Sequence, residues 1–192
     1  MNLETIKNLW IDLVIQRSFL GGRIVSIDGS KEIYDTVSTS YESVRLIFFK
    51  YFPLGKNDVI VDVGCGKGRV FNYLLHKGAK NKMIGYEINA DVAERAKKQL
   101  NRFKNVEIRS ENIFDNFPSE PNIFYMFNPF SQLLMKEFKE CIYNIKDRKP
   151  VILYYNPTCL GVYDDPRFKY EVIDFEALNE GVPYKLAIIK IA

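Results

Sequence analysis

The sequence predicts an α/β protein: a three-layer αβα sandwich around a mostly parallel sheet of seven strands, with an antiparallel strand pair at its C-terminal end. Three observations carry the prediction. Short apolar, β-branched runs alternate with segments of helical periodicity from Asp58 onwards. A glycine-rich turn joins the first of these strands to the helix that follows it. The last two extended runs succeed one another without a helical span, which favours antiparallel pairing.

The 192 residues fit one domain, expected as a helical extension over residues 1–55 and a core over 56–192. A hydrophobic content of 47%, with 14 Phe and 12 Tyr against 27% charged residues, is enough to fill a core without staples. Cys65, Cys141 and Cys159 are far apart, and His76 is the single histidine. This spacing predicts no metal site and points to reduced thiols in a cytoplasmic protein. Acids interrupt the N-terminal apolar residues and no apolar run nears roughly 18 residues, so neither an export signal nor a membrane span is expected. Net charge is only +3. The basic stretches Arg95 to Lys104 and Lys146 to Lys149 contain or adjoin acids and read as solvated helix faces, not as a nucleic-acid surface.

Leu3, Ile6, Trp10, Leu13 and Val14 recur at helical spacing and predict an amphipathic helix laid on the core by that face. Gly21-Gly22 and Asp28-Gly29-Ser30 break it into loop. Thr39 and Glu42 match a capping box for a second helix, which Pro53-Leu54-Gly55 stops after Phe52. Strands are expected at 58–63, 82–86, 106–109, 122–127, 151–155, 170–175 and 184–191, the last two separated by Gly181-Val182-Pro183. The intervening helices would turn inward Val70, Phe71, Leu74 and Leu75; then Val92, Ala96, Leu100 and Phe103; then Leu134, Phe138, Cys141 and Ile145. Gly78 is placed to cap the first of these.

The strongest chemical signal is VDVGCGKGRV, residues 61–70. Gly64, Gly66 and Gly68 sit on the turn from a buried strand into a helix, where glycine lets the backbone approach a ligand and leaves the helix amides free. The spacing is G-x-G-x-G, not the G-x-G-x-x-G of dinucleotide sites, and no phosphate loop of the G-x-x-x-x-G-K-[ST] type occurs. Asp62 precedes the loop, suited to a cationic amino-acid group. Cys65 would contribute its backbone. Glu87 closes the next strand about 20 residues on, where a carboxylate accepts from both hydroxyls of a ribose; the alternative is a charge favouring the following helix dipole. Ile88, beside it, joins the expected contacts.

These residues resemble the class I S-adenosylmethionine-dependent methyltransferases, a Rossmann-like family, over roughly residues 58–191. The resemblance implies S-adenosyl-L-methionine as cofactor, with the glycine loop holding its methionine part and Glu87 its ribose. Ser110-Glu111-Asn112 would frame the adenine, Glu111 accepting from its amino group, with Asn112 beside it. TSYESV ahead of the core and FYMFNPF within it resemble a small bacterial branch of that family.

Asn128-Pro129-Phe130 partly resembles the N-P-P-[FY] of amino methyltransferases, in which the Asn oxygen grips the nucleophilic amine; here one proline is missing. Asn128 is thus the catalytic candidate, or else the cap of a helix that Pro129 begins. Tyr41, Phe130 and Tyr155 would form an aromatic rim over cofactor and acceptor, or three core aromatics. His76 is expected to be structural. The acceptor would be a small molecule, a saccharide or a protein side chain. Alternatives are nucleic acid, for which neither the net charge nor an insertion supplies a target-reading surface, a non-catalytic adenosyl-ligand binder, and a nicotinamide oxidoreductase, which the glycine spacing disfavours.

Overall fold

The computed structural model describes residues 3–20, 39–175 and 184–192. The expected breaks at Gly21-Gly22, Asp28-Gly29-Ser30 and Gly181-Val182-Pro183 lie outside these. The elements run α1 (Leu3–Ile15), α2 (Tyr41–Leu46) continued by a π-helical turn (Ile47–Tyr51), β1 (Val59–Val63), α3 (Arg69–His76), β2 (Lys82–Tyr86) and α4 (Ala90–Leu100). There follow β3 (Val106–Arg109), β4 (Ile123–Phe127), α5 (Gln132–Asn144), β5 (Val151–Tyr155), β6 (Phe168–Asp174) and β7 (Lys185–Ile191).

All seven strands join one sheet in the order β3-β2-β1-β4-β5-β7-β6. The first five are parallel, and β7 runs antiparallel between β5 and β6. Strands buried on both faces read as near-continuous apolar runs: Ile60 to Val63, interrupted only by Asp62, and Ile123 to Met126 are buried at every position. One face carries Ile60, Met83 and Leu153 against Ile11, Val44, Phe71, Leu74 and Ala96, so α1 to α4 form one layer. The other carries Val61, Ile84, Phe124 and Ile152 against Met135, Phe138 and Ile142 of α5. The order reverses between β1 and β4, and the crevice beyond the carboxyl ends of those two strands is where such sheets bind ligands.

Three expectations are corrected. In α1 the buried residues are Ile11, Asp12, Ile15 and Gln16, whereas Ile6, Trp10, Leu13 and Val14 face outwards, Trp10 with 56% of its surface exposed. This helix is apolar on more than one side, so periodicity leaves the inward face open and hydrogen bonds from Asp12 and Gln16 decide it. The cap of α2 is Ser40, whose Oγ accepts from the Ser43 amide at 3.0 Å. Thr39 instead bonds Tyr125 at 2.6 Å, and Glu42 pairs with Arg45. In α4 and α5 the inward set is shifted by one position, to Ala93 and to Met135 and Ile142, while Ala96, Leu100 and Phe138 stay inside.

Gly85 on β2 has a packing role that the sequence does not announce. A Cβ there would lie 2.6 Å from Cys65 Sγ and 2.9 Å from Ile108 Cδ1. Gly85→Val is expected to overpack this corner and lower stability by about 1–3 kcal/mol, read as a reduced urea midpoint at unchanged slope.

Candidate functional site

The carboxyl ends of four parallel strands bring predicted residues into one row. From one side to the other they are Glu111 and Asn112 after β3, Glu87 and Ile88 after β2, the glycine loop after β1, and Asn128 after β4; Thr158, beyond β5, extends the row without having been expected. At about 4.8 Å per strand the row from β3 to β4 is roughly 15 Å long.

The loop itself is held from beneath. The amides of Gly64 and Cys65 both donate to the Tyr86 carbonyl at 2.9 Å, and the Gly68 amide to the Cys65 carbonyl at 2.8 Å. Gly64, Gly66 and Gly68 have φ of 77°, 53° and 74°. Left-handed backbone at alternate positions favours glycine at each, which is the physical content of the G-x-G-x-G spacing. Cys65 turns its side chain into the core over Gly85, and burial pushes its thiol up, so only its backbone borders the loop.

Glu87 is buried, with Oε2 accepting from the Gly66 amide at 2.9 Å and Oε1 from the Asn89 amide at 2.8 Å. Each oxygen has one further acceptor direction. The helix cap of α4 is Asn89, not Glu87. Ile88 is exposed beside it. Neighbouring strand ends are linked by the Glu87 amide, which donates to the Arg109 carbonyl at 3.0 Å, and Asn112 forms a turn by accepting from the Phe114 amide at 3.1 Å. Glu111 is half-buried there.

Asp62 is 3% exposed. Burial, and next the nearby Glu87 carboxylate, push its carboxyl up to about 8; burial also raises Glu87. A folded-state pKa above the unfolded one means that the native chain holds the proton more tightly. The resulting stabilisation is complete below about pH 4 and is lost as pH rises towards 8. Stability should therefore fall across pH 5 to 8, and Asp62→Asn should flatten that slope in urea titrations; an unchanged slope would exclude Asp62 as its source.

The segment after β4 departs from the expectation. Asn128 has φ of 46°, and its Oδ1 accepts from the Tyr154 hydroxyl at 2.8 Å and from the Thr158 hydroxyl. The Cys159 amide donates to the Tyr154 oxygen at 3.2 Å, directing that hydroxyl's proton towards Asn128. Burial raises the Tyr154 phenol to about 12, so it remains a donor. Ser131, not Asn128, caps α5. A Cβ on Gly64 would stand 3.6 Å from the Pro129 side chain, so the two loops touch.

The aromatic rim is not assembled. Tyr41 and Tyr155 are buried on one face of the sheet and Phe130 on the other, packed with Phe114 and Phe138. Tyr41 donates to Asp12 and accepts from Asn72 Nδ2 at 2.5 Å. His76 packs edge-on against Trp10 at 5.5 Å.

Sequence reasoning missed the contribution of α1. Gln16 Nε2 donates to the Lys67 and Gly68 carbonyls at 3.1 and 3.3 Å, gripping the glycine loop from outside the core. Two polar residues four apart in the otherwise apolar run from Leu9 to Gln16, Asp12 and Gln16, were the available signal. Nothing in the sequence singled out Tyr154 or Thr158.

Residues 54–151, just over half of the chain, match the family described as a methyltransferase domain. Over 68 residues the chain is 34% identical to a protein of Archaeoglobus fulgidus named "Probable cobalt-precorrin-6B C(15)-methyltransferase (decarboxylating)", a stretch covering 35% of this chain and 39% of that one. The chain thus spans about two fifths of that relative's length. Among solved structures, a methyltransferase from Pyrococcus furiosus superposes with a TM-score of 0.61 at 16% identity, covering 98% of this chain and 95% of the other. An RNA methyltransferase from Salinibacter ruber in complex with S-adenosyl-L-homocysteine has a TM-score of 0.59 at 15% identity, covering 81% and 94%. The structural likenesses are likenesses of fold; the match over residues 54–151 goes further, and by it the chain belongs to the methyltransferase-domain family.

Proposed function

We propose that the chain transfers a methyl group from S-adenosylmethionine to an oxygen-bearing small molecule or saccharide. The observation that carries this reading is the state of Asn128. Its carbonyl oxygen already accepts from two hydroxyls, Tyr154 and Thr158. Gripping an amine would need that oxygen; the amide nitrogen is the group left to meet an acceptor, and it donates. An acceptor carrying a hydroxyl or carboxyl oxygen suits it better than an amine.

The residues fit the cofactor. Glu87 keeps one acceptor direction per oxygen for the ribose hydroxyls, and Glu111, Asn112 and exposed Ile88 lie beside it for the adenine. Gly64, Gly66 and Gly68 admit the methionine part, with Asp62 and the Cys65 backbone beneath. When bound, S-adenosylmethionine supplies an electrophilic methyl on a sulfonium, so alignment matters more than strong acid–base help. The contact between the Gly64 and Pro129 loops supports Asn128 as the residue that aligns the acceptor. Tyr154 and Thr158 hold the Asn128 amide in one orientation. Glu87→Ala should weaken S-adenosylhomocysteine by about 1–3 kcal/mol with the fold retained; calorimetry giving unchanged affinity would move the ribose contact elsewhere.

A groove of about 440 Å³ between α1 and α4 favours a second reading, a nucleic-acid acceptor. It is lined by Arg17, Arg95, Lys98 and Arg102 with no acid. Arg102, however, donates to the Val14 and Ile15 carbonyls, and α4 flanks the loop on the side of β2, away from Asn128. Incubation with methyl-labelled cofactor and separate panels of sugars, small hydroxyl and carboxyl compounds, proteins and transfer RNA decides between the readings. Label is expected in the small oxygen-bearing compounds; label confined to RNA would establish the second.

A further inference from the structure

α1 is apolar on two sides, and the core covers one of them. Ile11 and Ile15 are buried, whereas Ile6, Trp10, Leu13 and Val14 recur at helical spacing along the outer side and are each between 44% and 56% exposed. They form an apolar stripe roughly 12 Å long, with Phe19 a further exposed ring just past the helix end. Soluble proteins rarely leave such a patch in water unless it meets a partner. Cations border it. Lys7, one turn before Trp10, and Arg17, whose amide still donates to the Leu13 carbonyl at 3.1 Å, are exposed at its two ends. Beside the end of α1, one face of α4 adds Arg95, Lys98 and Arg102, which line the groove of about 440 Å³ together with Arg17 and no acid among the described residues. Arg102 donates to the Val14 and Ile15 carbonyls, which leaves its charge intact. Asp12 is buried, and Glu42 and Glu94 on the neighbouring helices pair with Arg45 and Lys97.

A stripe of this kind is complementary to the headgroup layer of a bilayer: aliphatic side chains enter the boundary, an indole sits among the headgroups, and Lys and Arg meet anionic phosphates and carboxylates. At 13 residues α1 is too short to span a membrane, and no described helix is long and apolar enough to cross one; α1 would lie along the surface. Other partners fit less well. A two-fold copy of the chain would set the same cations against one another. Nucleic acid would satisfy the cations and leave Ile6, Leu13 and Val14 without an apolar counterpart. Because Gln16 ties the same helix to the Lys67 and Gly68 carbonyls, the surface on which α1 rests lies beside the glycine loop.

We infer that the outer face of α1, through Ile6, Trp10, Leu13 and Val14 and the cations beside them, docks the protein on an anionic lipid bilayer. Trp10 is the single tryptophan, so its emission reports this face alone. The protein is mixed with vesicles of phosphatidylcholine and phosphatidylserine in equal parts, and separately with vesicles of phosphatidylcholine. It should sediment with the first and not with the second, its Trp10 emission should move to the blue as the ring leaves water, and rising salt should release it. Leu13→Glu, at an exposed position, should weaken vesicle binding by about tenfold or more. Arg95→Gln with Lys98→Gln should weaken it by about fivefold for each charge removed. Absence of vesicle binding at low salt would overturn the inference, and so would sedimentation with Trp10 emission unmoved, which would leave charge attraction alone. A blue shift that follows protein concentration without lipid, with a dimer in analytical ultracentrifugation, would give the face to a second copy. Binding of transfer RNA in place of vesicles would give the cations to nucleic acid. Either result would equally overturn it.

Discussion

Gly66→Val is expected to lose affinity for S-adenosylmethionine by about a hundredfold or more. Two effects add. A β-branched residue at a φ of 53° is strained by about 1–2 kcal/mol. The amide at this position also donates to Glu87 Oε2, so a shifted backbone weakens a hydrogen bond to a charged group, on a scale of about 1.5–3 kcal/mol. Together they come to about 2.5–5 kcal/mol, against the roughly 2.7 kcal/mol that a hundredfold change requires. Calorimetric titration of a variant shown by circular dichroism to be folded is the measurement. Wild-type affinity would reduce the loop to a turn.

Asn128→Ala should slow methyl transfer by about a hundredfold, since displacing a reacting group by an ångström has an effect of that size. Donor affinity should hardly change, because Asn128 lies across the Pro129 contact from the loop. The fold should weaken as well, by about 1–3 kcal/mol: Ser131 caps α5 and the exposed Thr158 can turn to water, but the buried Tyr154 hydroxyl loses its acceptor and alanine at a φ of 46° is strained. Single-turnover rates and melting on one preparation separate the effects. A large drop in melting temperature with unchanged turnover per folded molecule would make Asn128 a structural residue.

Much of this architecture was legible in the sequence because it depends on patterns that survive without coordinates. The runs at β2, β3 and β5 are bounded by the residues that the β-branched and apolar stretches predict, and the glycine spacing identified the loop. The inward faces of α1 and α5 were not legible. Ile6 and Trp10 are as apolar as Ile11 and Ile15, and the choice between them rests on Asp12 reaching Tyr41 and Gln16 reaching Lys67, contacts 29 and 51 residues away along the chain. Asn128 illustrates a different limit. Its motif could be read, but the direction of its amide is set by Tyr154, Thr158 and the Cys159 amide, which belong to another strand end.

The grip of Gln16 on the loop carbonyls has a consequence for cooperativity. Both α1 and Tyr41 lie outside residues 54–151, the segment that carries the family signature. The loop geometry is nevertheless completed by them, through Gln16 on one side and the Asp12–Tyr41–Arg69 stack on the other. Coupling of this kind is reciprocal: what orders the loop must, to the same extent in free energy, dock the helix. Opening of α1 therefore loosens the loop, and opening of the loop loosens α1, by the same free energy.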